Sequence, residues 1–274
     1  MRSARWATAF LLSAFLLLLG VAHAQQWDLR ICAQGDSLPY SNRQGQGFEN
    51  RIAELLAREL GVNPVHVWLP RPDNRVRDAL LRSGECDVVM GVNDGHAGFL
   101  TSLAYYRSSY VFVYRRDSPF DIESLDDPVL GELRVGVQVA GRGVSPPTLA
   151  LANRGLLDRQ VGVVPDYDEP APLARLIGAV AAGEVDVAIA WGPVAGYFAA
   201  SSPVPMEVVP VSPKIEQPFV PMVSSIALGV RPGDEALRDR LDLALARTWE
   251  EIQSILREYR IPLEPLPAPT VEGS

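Results

Sequence analysis

The chain has 274 residues, 47% hydrophobic and 21% charged, with a formal net charge of −8. That length buries a sizeable core in one large domain or two small ones. An acidic chain with no basic stretch excludes the usual nucleic-acid binder and a surface drawn to anionic lipid, which leaves small molecules and proteins as partners.

The first 24 residues read as a targeting segment. Arg2 and Arg5 precede an apolar run from Ala7 to Val21, followed by Ala22-His23-Ala24, the pattern of a secretory signal with an A-x-A cleavage site. The run is too short to span a bilayer. Cleavage after Ala24 removes two arginines and no acid, which takes the formal charge from −8 to −10. It predicts a periplasmic protein with no membrane insertion once the signal is gone.

Leu29 to Ala33 is a short apolar run with a β-branched centre, as in a buried parallel strand. A loop punctuated by Asp36, Pro39 and Gly45 follows. From Phe48 onward Ile52, Leu55, Leu56 and Leu60 return at helical spacing, and Gly61 stands where a left-handed C-cap is expected. Ligands of open α/β sheets sit at such loops, outside the carboxyl ends of the strands. Val62 to Leu69 predicts a second strand, Arg75 to Leu81 a second helix ending at Ser83-Gly84, and Cys86 to Gly91 a third strand. Cys32 and Cys86, an even pair in an exported chain, point to a disulfide if the first and third strands are neighbours; two buried thiols are the alternative.

The same grammar then repeats. Leu133-Arg134-Val135-Gly136-Val137 echoes Leu29-Arg30-Ile31-Cys32-Ala33, and Gly183-Glu184-Val185-Asp186-Val187 echoes Gly84-Glu85-Cys86-Asp87-Val88. Two lobes of one design follow, with the repeated acids expected to cap helices or face solvent. The β-prone runs Ser108 to Arg115 and Ser225 to Arg231 flank the second lobe, as a two-stranded hinge requires. Pro232-Gly233 opens a long helix from Asp234 to about Tyr259, with Leu237, Leu241, Leu245, Trp249, Ile252 and Leu256 as its apolar stripe against the first lobe. The expected division is a signal peptide over 1–24, a discontinuous first lobe over 25–114 and 224–261, a second lobe over 115–223, and a Pro-rich, irregular or extended tail over 262–274.

Three segments, Asn42-Arg43-Gln44-Gly45-Gln46-Gly47-Phe48-Glu49-Asn50, Cys86-Asp87-Val88-Val89-Met90-Gly91-Val92 and Tyr105 to Tyr114, carry a resemblance that extends over nearly the whole mature chain. Together with the order of elements, they resemble a family 3 periplasmic solute-binding protein, and within that family the quinoprotein dehydrogenase-associated branch, the MoxJ/XoxJ-like J proteins of methanol-oxidation gene clusters. The resemblance implies an α/β fold: a type II, two-lobed periplasmic-binding-protein clamshell, each lobe a mostly parallel sheet flanked by helices, with a two-stranded hinge. It also implies a non-enzymatic periplasmic accessory of a dehydrogenase that depends on pyrroloquinoline quinone (PQQ), binding the quinoprotein or assisting its maturation or activation. The partners would be that alcohol dehydrogenase and its cytochrome c. The alternative is the solute receptor of an ABC permease, for a small polar molecule that is not a standard amino acid.

Departures from the amino-acid-binding pattern matter. Those relatives place an arginine shortly after the third strand to clamp a carboxylate, but Asn93-Asp94-Gly95-His96-Ala97-Gly98-Phe99 has none. They also end the last core strand of the second lobe in an aspartate, whereas Ile189-Ala190 leads here to Trp191-Gly192-Pro193. Both halves of a zwitterion clamp are missing. A third class, a dehydratase resembling cyclohexadienyl dehydratases, would need carboxylate-binding arginines, for which Arg107 and Arg142 are the nearby candidates.

The loops after the strands supply the expected cleft: Asp36, Tyr40, Ser41, Phe48 and Glu49 from the first, Asn93 and Asp94 from the third, and Tyr105 and Tyr106 near the crossover. Gln138, Arg142, Thr148, Trp191 and Tyr197 would face them from the second lobe. At the start of a helix, Glu49 is expected to serve the helix dipole rather than a ligand. His66 reads as structural, and His96 lies in a Gly-rich loop with only Asp94 close by, which does not complete a metal site. No Ser-His-Asp, HExxH or phosphate-binding glycine motif appears, so the sequence calls for no cofactor, metal or catalytic group.

Overall fold

A computed structural model describes residues 27–69, 73–139, 144–169 and 171–270. The expected signal segment lies outside the described residues. The chain opens with β1 (Asp28–Gln34), followed by a turn built on β2 (Asp36–Ser37) and β3 (Ser41–Asn42), and then α1 (Phe48–Leu60). The α1 start is fixed by Asn50, whose Oδ1 accepts from the Gly47 amide at 3.1 Å and the Asn42 amide at 3.0 Å, so helix and preceding loop share one anchor. Gly61 ends the helix at φ 67°, a left-handed conformation suited to glycine. Phe48, Ile52, Leu55 and Leu56 are buried on its inner face, each worth about 1.5–3 kcal/mol of transfer free energy.

Next come β4 (Asn63–Leu69), α2 (Asn74–Ser83) and β5 (Val88–Asn93). The third strand begins two residues later than expected, because Cys86 and Asp87 are taken up by side-chain links to β1. Strand β1 lies between β4 and β5, parallel to both, and its neighbourhood with β5 brings Cys32 and Cys86 into a disulfide with Cα atoms 5.6 Å apart. After β6 (Leu100–Thr101) the long strand β7 (Tyr106–Arg115) carries the chain into the second lobe. There β8 (Val135–Gln138), α3 (Pro146–Asn153), β9 (Gln160–Val163), α4 (Arg175–Ala181), β10 (Val187–Trp191), α5 (Gly192–Ala200) and β11 (Met206–Pro210) follow in turn. A small hairpin of β12 (Ile215–Glu216) and β13 (Val220–Pro221) precedes β14 (Val223–Val230), which returns the chain to the first lobe.

One ten-stranded sheet runs through both lobes in the order β4-β1-β5-β14-β7-β10-β8-β9, with β6 on β14 and β11 on β7. Strands β7 and β14 pair with each other only where Tyr106 to Ser109 lie antiparallel to Val223 to Ile226. Beyond that segment β14 continues along β5, and β7 continues between β10 and β11. Strand β7 therefore belongs to both lobes and β14 leads from it back into the first, the arrangement of a two-lobed clamshell with a two-stranded hinge. Period-two alternation explains how β7 serves two cores at once: Phe112 and Tyr114 face one side of the second-lobe sheet, Val111 and Val113 the other.

The sequence echo has a physical meaning in the folded chain. Asp87 accepts from the Arg30 amide at 3.0 Å and from its guanidinium at 2.9 and 2.6 Å, pinning β5 to β1. Asp186 does the same for Arg134, at 2.7 Å from the amide and 3.1 and 2.7 Å from the guanidinium, pinning β10 to β8. The expectation that the acids of both copies cap helices or face solvent fails for these aspartates. Glycine supplies the cap in each copy, leaving the aspartate free to reach across the strand pair.

The long C-terminal helix is two helices, α6 (Glu235–Arg247) and α7 (Trp249–Glu258). They break at Thr248, whose Oγ1 donates back to the Ala244 carbonyl at 2.7 Å, a local bond that competes with helix continuation. The predicted apolar stripe nevertheless stays buried through the break and packs on α1 of the first lobe. Residues 262–270 of the tail form no helix or strand, and they are anchored. The Arg107 carbonyl accepts from the Glu264 amide at 2.8 Å, Ser109 Oγ donates to the Glu264 carboxylate at 2.7 Å, and Lys214 pairs with that carboxylate.

Candidate functional site

Between the lobes lies a cavity of about 550 Å³, within the range of small-molecule sites. The last residues of β1, β5, β8 and β10, which are Gln34, Asn93, Gln138 and Trp191, all line it. This is the geometry of open α/β sheets, where loops leaving the carboxyl ends of parallel strands form the pocket. The hinge contributes Tyr106, Tyr110, Ser224 and Ile226.

Glu49 dominates the electrostatics. As the second residue of α1 it points its carboxyl into the cavity, while Asn50 does the capping that Glu49 was expected to do. No hydrogen bond or salt bridge from a described residue reaches the Glu49 carboxylate. The side chain is half-buried, open to the cavity, and its desolvation pushes the carboxyl up to about 8, partly offset by the positive charge of Arg77. Arg77 lines the same cavity, but its Nε and Nη2 donate to Asp78 at 3.1 and 3.0 Å, and its guanidinium lies 5.3 Å from the Phe99 ring centroid.

Around the acid stand aromatic walls drawn from both lobes. Tyr40 packs at 5.4 Å on Phe48, Tyr110 meets Trp191 edge-on at 5.3 Å, and Tyr106 and Tyr167 complete the lining. Burial, and then the nearby Glu49 charge, push the Tyr40 hydroxyl well above the usual tyrosine value; burial alone takes Tyr110 to about 12. These phenols are neutral donors and acceptors at every ordinary pH.

Of the residues singled out in the sequence, Tyr40, Ser41, Glu49, Asn93, Tyr106, Gln138 and Trp191 share the cavity wall. The others lie elsewhere, each for a packing reason. Phe48 is fully buried in the first-lobe core against Tyr106 and Tyr259, at 6.0 Å from each. Tyr105 is also fully buried, and its hydroxyl lies near the Gly91 backbone with no hydrogen bond of good geometry among the described residues. Asp36 is an exposed residue of β2, and Asp94 is an exposed turn acid that accepts from Thr101 Oγ1 at 3.4 Å. Thr148 bonds Ser145 in the first turn of α3, and Tyr197 stacks on Tyr259 at 5.7 Å, a contact from α5 of the second lobe to the C-terminal end of the first. Arg142 lies outside the described residues. Sequence reasoning missed Gln34, Ser37, Arg77, Tyr110 and Tyr167. The rule that placed Asn93 and Gln138 would have found Gln34, which ends β1, whereas nothing local marks Tyr167.

The remaining chemistry is sparse. His66 Nε2 lies 3.2 Å from Asn50 Nδ2 and its ring stacks on Trp68, while His96 Nδ1 accepts from the Gly98 amide at 3.1 Å. Among the described residues no group of three or more His, Cys, Asp and Glu could hold a metal ion, and no helix is long and apolar enough to cross a membrane.

Residues 29–260 match the bacterial extracellular solute-binding proteins, family 3. The chain belongs to this family. Among its relatives is Protein MoxJ of Methylorubrum extorquens, 34% identical over 252 residues, spanning 87% of this chain and 82% of the relative. The crystal structure of MxaJ from Methlophaga aminisulfidivorans MPT superposes with a TM-score of 0.77 at 29% identity, covering 86% of this chain and 100% of that one. The crystal structure of the periplasmic binding protein XoxJ from Methylobacterium extorquens AM1 gives a TM-score of 0.71 at 33% identity, covering 87% and 100%. Likeness extends over both lobes, so it reflects the whole clamshell and not one shared motif.

Proposed function

We propose that this chain is a periplasmic, binding-protein-like accessory of a PQQ-dependent methanol or alcohol dehydrogenase, binding the quinoprotein or assisting its maturation or activation. The observation that carries this reading is the likeness, at 34% identity over most of both chains, to a protein named MoxJ, supported by the fit to MxaJ and XoxJ. The window after β5 adds to it: Asn93 to Phe99 contains no arginine, so the family's usual carboxylate clamp is missing where an amino-acid receptor would carry it. The test is a pull-down from periplasm with the mature chain as bait. Recovery of a quinoprotein dehydrogenase, with or without its cytochrome c, supports the reading; recovery of an ABC permease without any quinoprotein overturns it.

A second reading, the solute receptor of an ABC permease, is favoured by the cavity between the lobes and by the Glu49 carboxylate within it, which has no partner among the described residues. It predicts a ligand-dependent rise in melting temperature and closure about the hinge. The enzymatic class has less support. Arg107, a carboxylate-binding candidate, donates to Ser225 Oγ at 2.8 Å and the Pro265 carbonyl at 3.2 Å, holding tail to hinge away from the cavity wall. Prephenate should pass through the purified protein unchanged.

A further inference from the structure

We propose that the cavity between the lobes binds an organic ammonium cation, held by the Glu49 carboxylate and by the aromatic faces of Tyr40, Tyr110 and Trp191. The inference goes beyond the accessory reading and does not depend on it, since it concerns only what the cavity holds.

Three observations point the same way. Glu49 faces the cavity with no hydrogen-bond or salt-bridge partner among the described residues, so a negative charge there is electrostatically incomplete. Electron-rich rings line the same space from three parts of the chain: Tyr40 from the first lobe, Tyr110 from the hinge and Trp191 from the second lobe. Carboxylate plus ring faces is the arrangement that recognises ammonium ions, including quaternary ones that cannot donate hydrogen bonds. Finally, Arg77, the cation that lines the cavity among the described residues, has its fork occupied by Asp78 and its face by Phe99. A ligand carboxylate would find the Nε–Nη2 edge already taken, with only the Nη1 end left to it, which favours a simple ammonium over an amino acid at this cation.

The site also has a proton linkage. Four groups bear on the Glu49 charge: Arg77 from α2, Tyr40 from the loop, and Tyr105 and Tyr106 at the start of β7; the three phenols stay neutral. With its carboxyl titrating at about 8, the empty cavity carries a protonated, neutral acid at pH 6.5. An entering cation must displace that proton, so affinity rises with pH and levels off above 8. A neutral polar solute hydrogen-bonded to the protonated acid would show the opposite trend.

The experiment is isothermal titration calorimetry of the mature chain with choline and tetramethylammonium, against the neutral choline isostere 3,3-dimethylbutan-1-ol and against acetate. Both cations should bind roughly 25-fold more tightly at pH 8.5 than at 6.5 by this linkage, while the isostere shows no such rise with pH. Glu49→Gln, which keeps the shape, should abolish cation binding at both values, and Trp191→Phe should weaken it several-fold. Circular dichroism establishes that each variant is folded. The proposal is overturned if neither cation gives heat at pH 8.5, if the isostere binds as well as choline, or if Glu49→Gln binds like the parent. Acetate binding lost in Arg77→Met but kept in Glu49→Gln would also overturn it, in favour of an anion site.

Discussion

Glu49 lies directly over Gly91: a methyl group added at Gly91 would come within 2.5 Å of Glu49 Oε1. Gly91 is also left-handed, at φ 69°, so β5 reserves a bare backbone position on which the cavity carboxyl rests. Gly91→Ala should therefore strain the backbone and push the acid aside, at a cost of about 1–3 kcal/mol. Urea unfolding checks the loss. Unchanged stability would mean that the carboxyl moves away freely.

A second expectation concerns pH. The Glu49 carboxyl titrates at about 8 in the folded chain against an ordinary 4.5, because burial disfavours its charge. Between those values the folded chain keeps a proton that the unfolded chain has released, so stability falls as pH rises through that window and levels off above 8. Glu49→Gln should remove this slope and be the more stable protein at pH 8.5, by on the order of a few kcal/mol. Unfolding free energies of both proteins at pH 5, 7 and 8.5 would show it; a difference constant across pH would refute it.

The paired clasps should differ in strength. The Asp87 side chain is 9% exposed and also lies 3.5 Å from Arg231, whereas that of Asp186 is 30% exposed. Asp87→Ala leaves the Arg30 amide without its acceptor, while the Arg30 guanidinium, 41% exposed, can turn to water, so the loss should be about 1–3 kcal/mol; Asp186→Ala should cost about 1 or less. Burial alone would raise the Asp87 carboxyl, but the bonds from Arg30 and the charges of Arg30 and Arg231 outweigh it and hold it below its ordinary value. The stabilisation by Asp87 is thus present at neutral pH and lost as pH falls through its depressed value in the folded chain. Equal losses in the two variants, from chemical denaturation at pH 7, would contradict the argument.

Reduction of the Cys32–Cys86 bridge opens a covalent loop across a sequence separation of 54 residues. The chain-entropy account assigns such a bridge about 4 kcal/mol, with 2–4 typical of measured cases. Calorimetry with and without a reductant should show a clear drop in melting temperature. The double variant Cys32→Ala/Cys86→Ala should melt low under both conditions and show no response to reductant.

The tail offers a packing test. A Cβ at Gly196 would sit 2.0 Å from the Arg260 carbonyl oxygen, and one at Gly192 would sit 2.7 Å from the Ser109 carbonyl oxygen. Gly196→Ala should lift the segment after Arg260 off α5 and expose it to proteases, although alanine favours the helix itself. Limited proteolysis followed by mass spectrometry reads this directly, with cleavage within 262–270 expected in the variant before the parent.

Much of the architecture was written in local pattern. Leu29 to Ala33 and its echo at Leu133 announced parallel strands, the runs around Ser108 and Ser225 announced the crossovers, and Gly61 and Gly84 announced helix ends, because periodicity and backbone freedom are properties of short stretches. The Cys32–Cys86 pair was readable because parallel topology brings the first and third strands together. What each side chain faces was not readable in the same way. Phe48 and Glu49 are adjacent on one helix, yet one fills the core and the other a cavity, as the 100° step between successive helical residues and the position of the hinge dictate. Thr248 divides a helix whose apolar stripe runs on unbroken, and the Pro-rich tail is fixed by partners on the hinge strand and the second lobe that no spacing could name. By itself the sequence determined the order, the repeat and the class of fold. Only tertiary packing decided that the Glu49 carboxyl and aromatic rings distant in sequence line one cavity, since a cleft between lobes belongs to their assembly and to no segment of either.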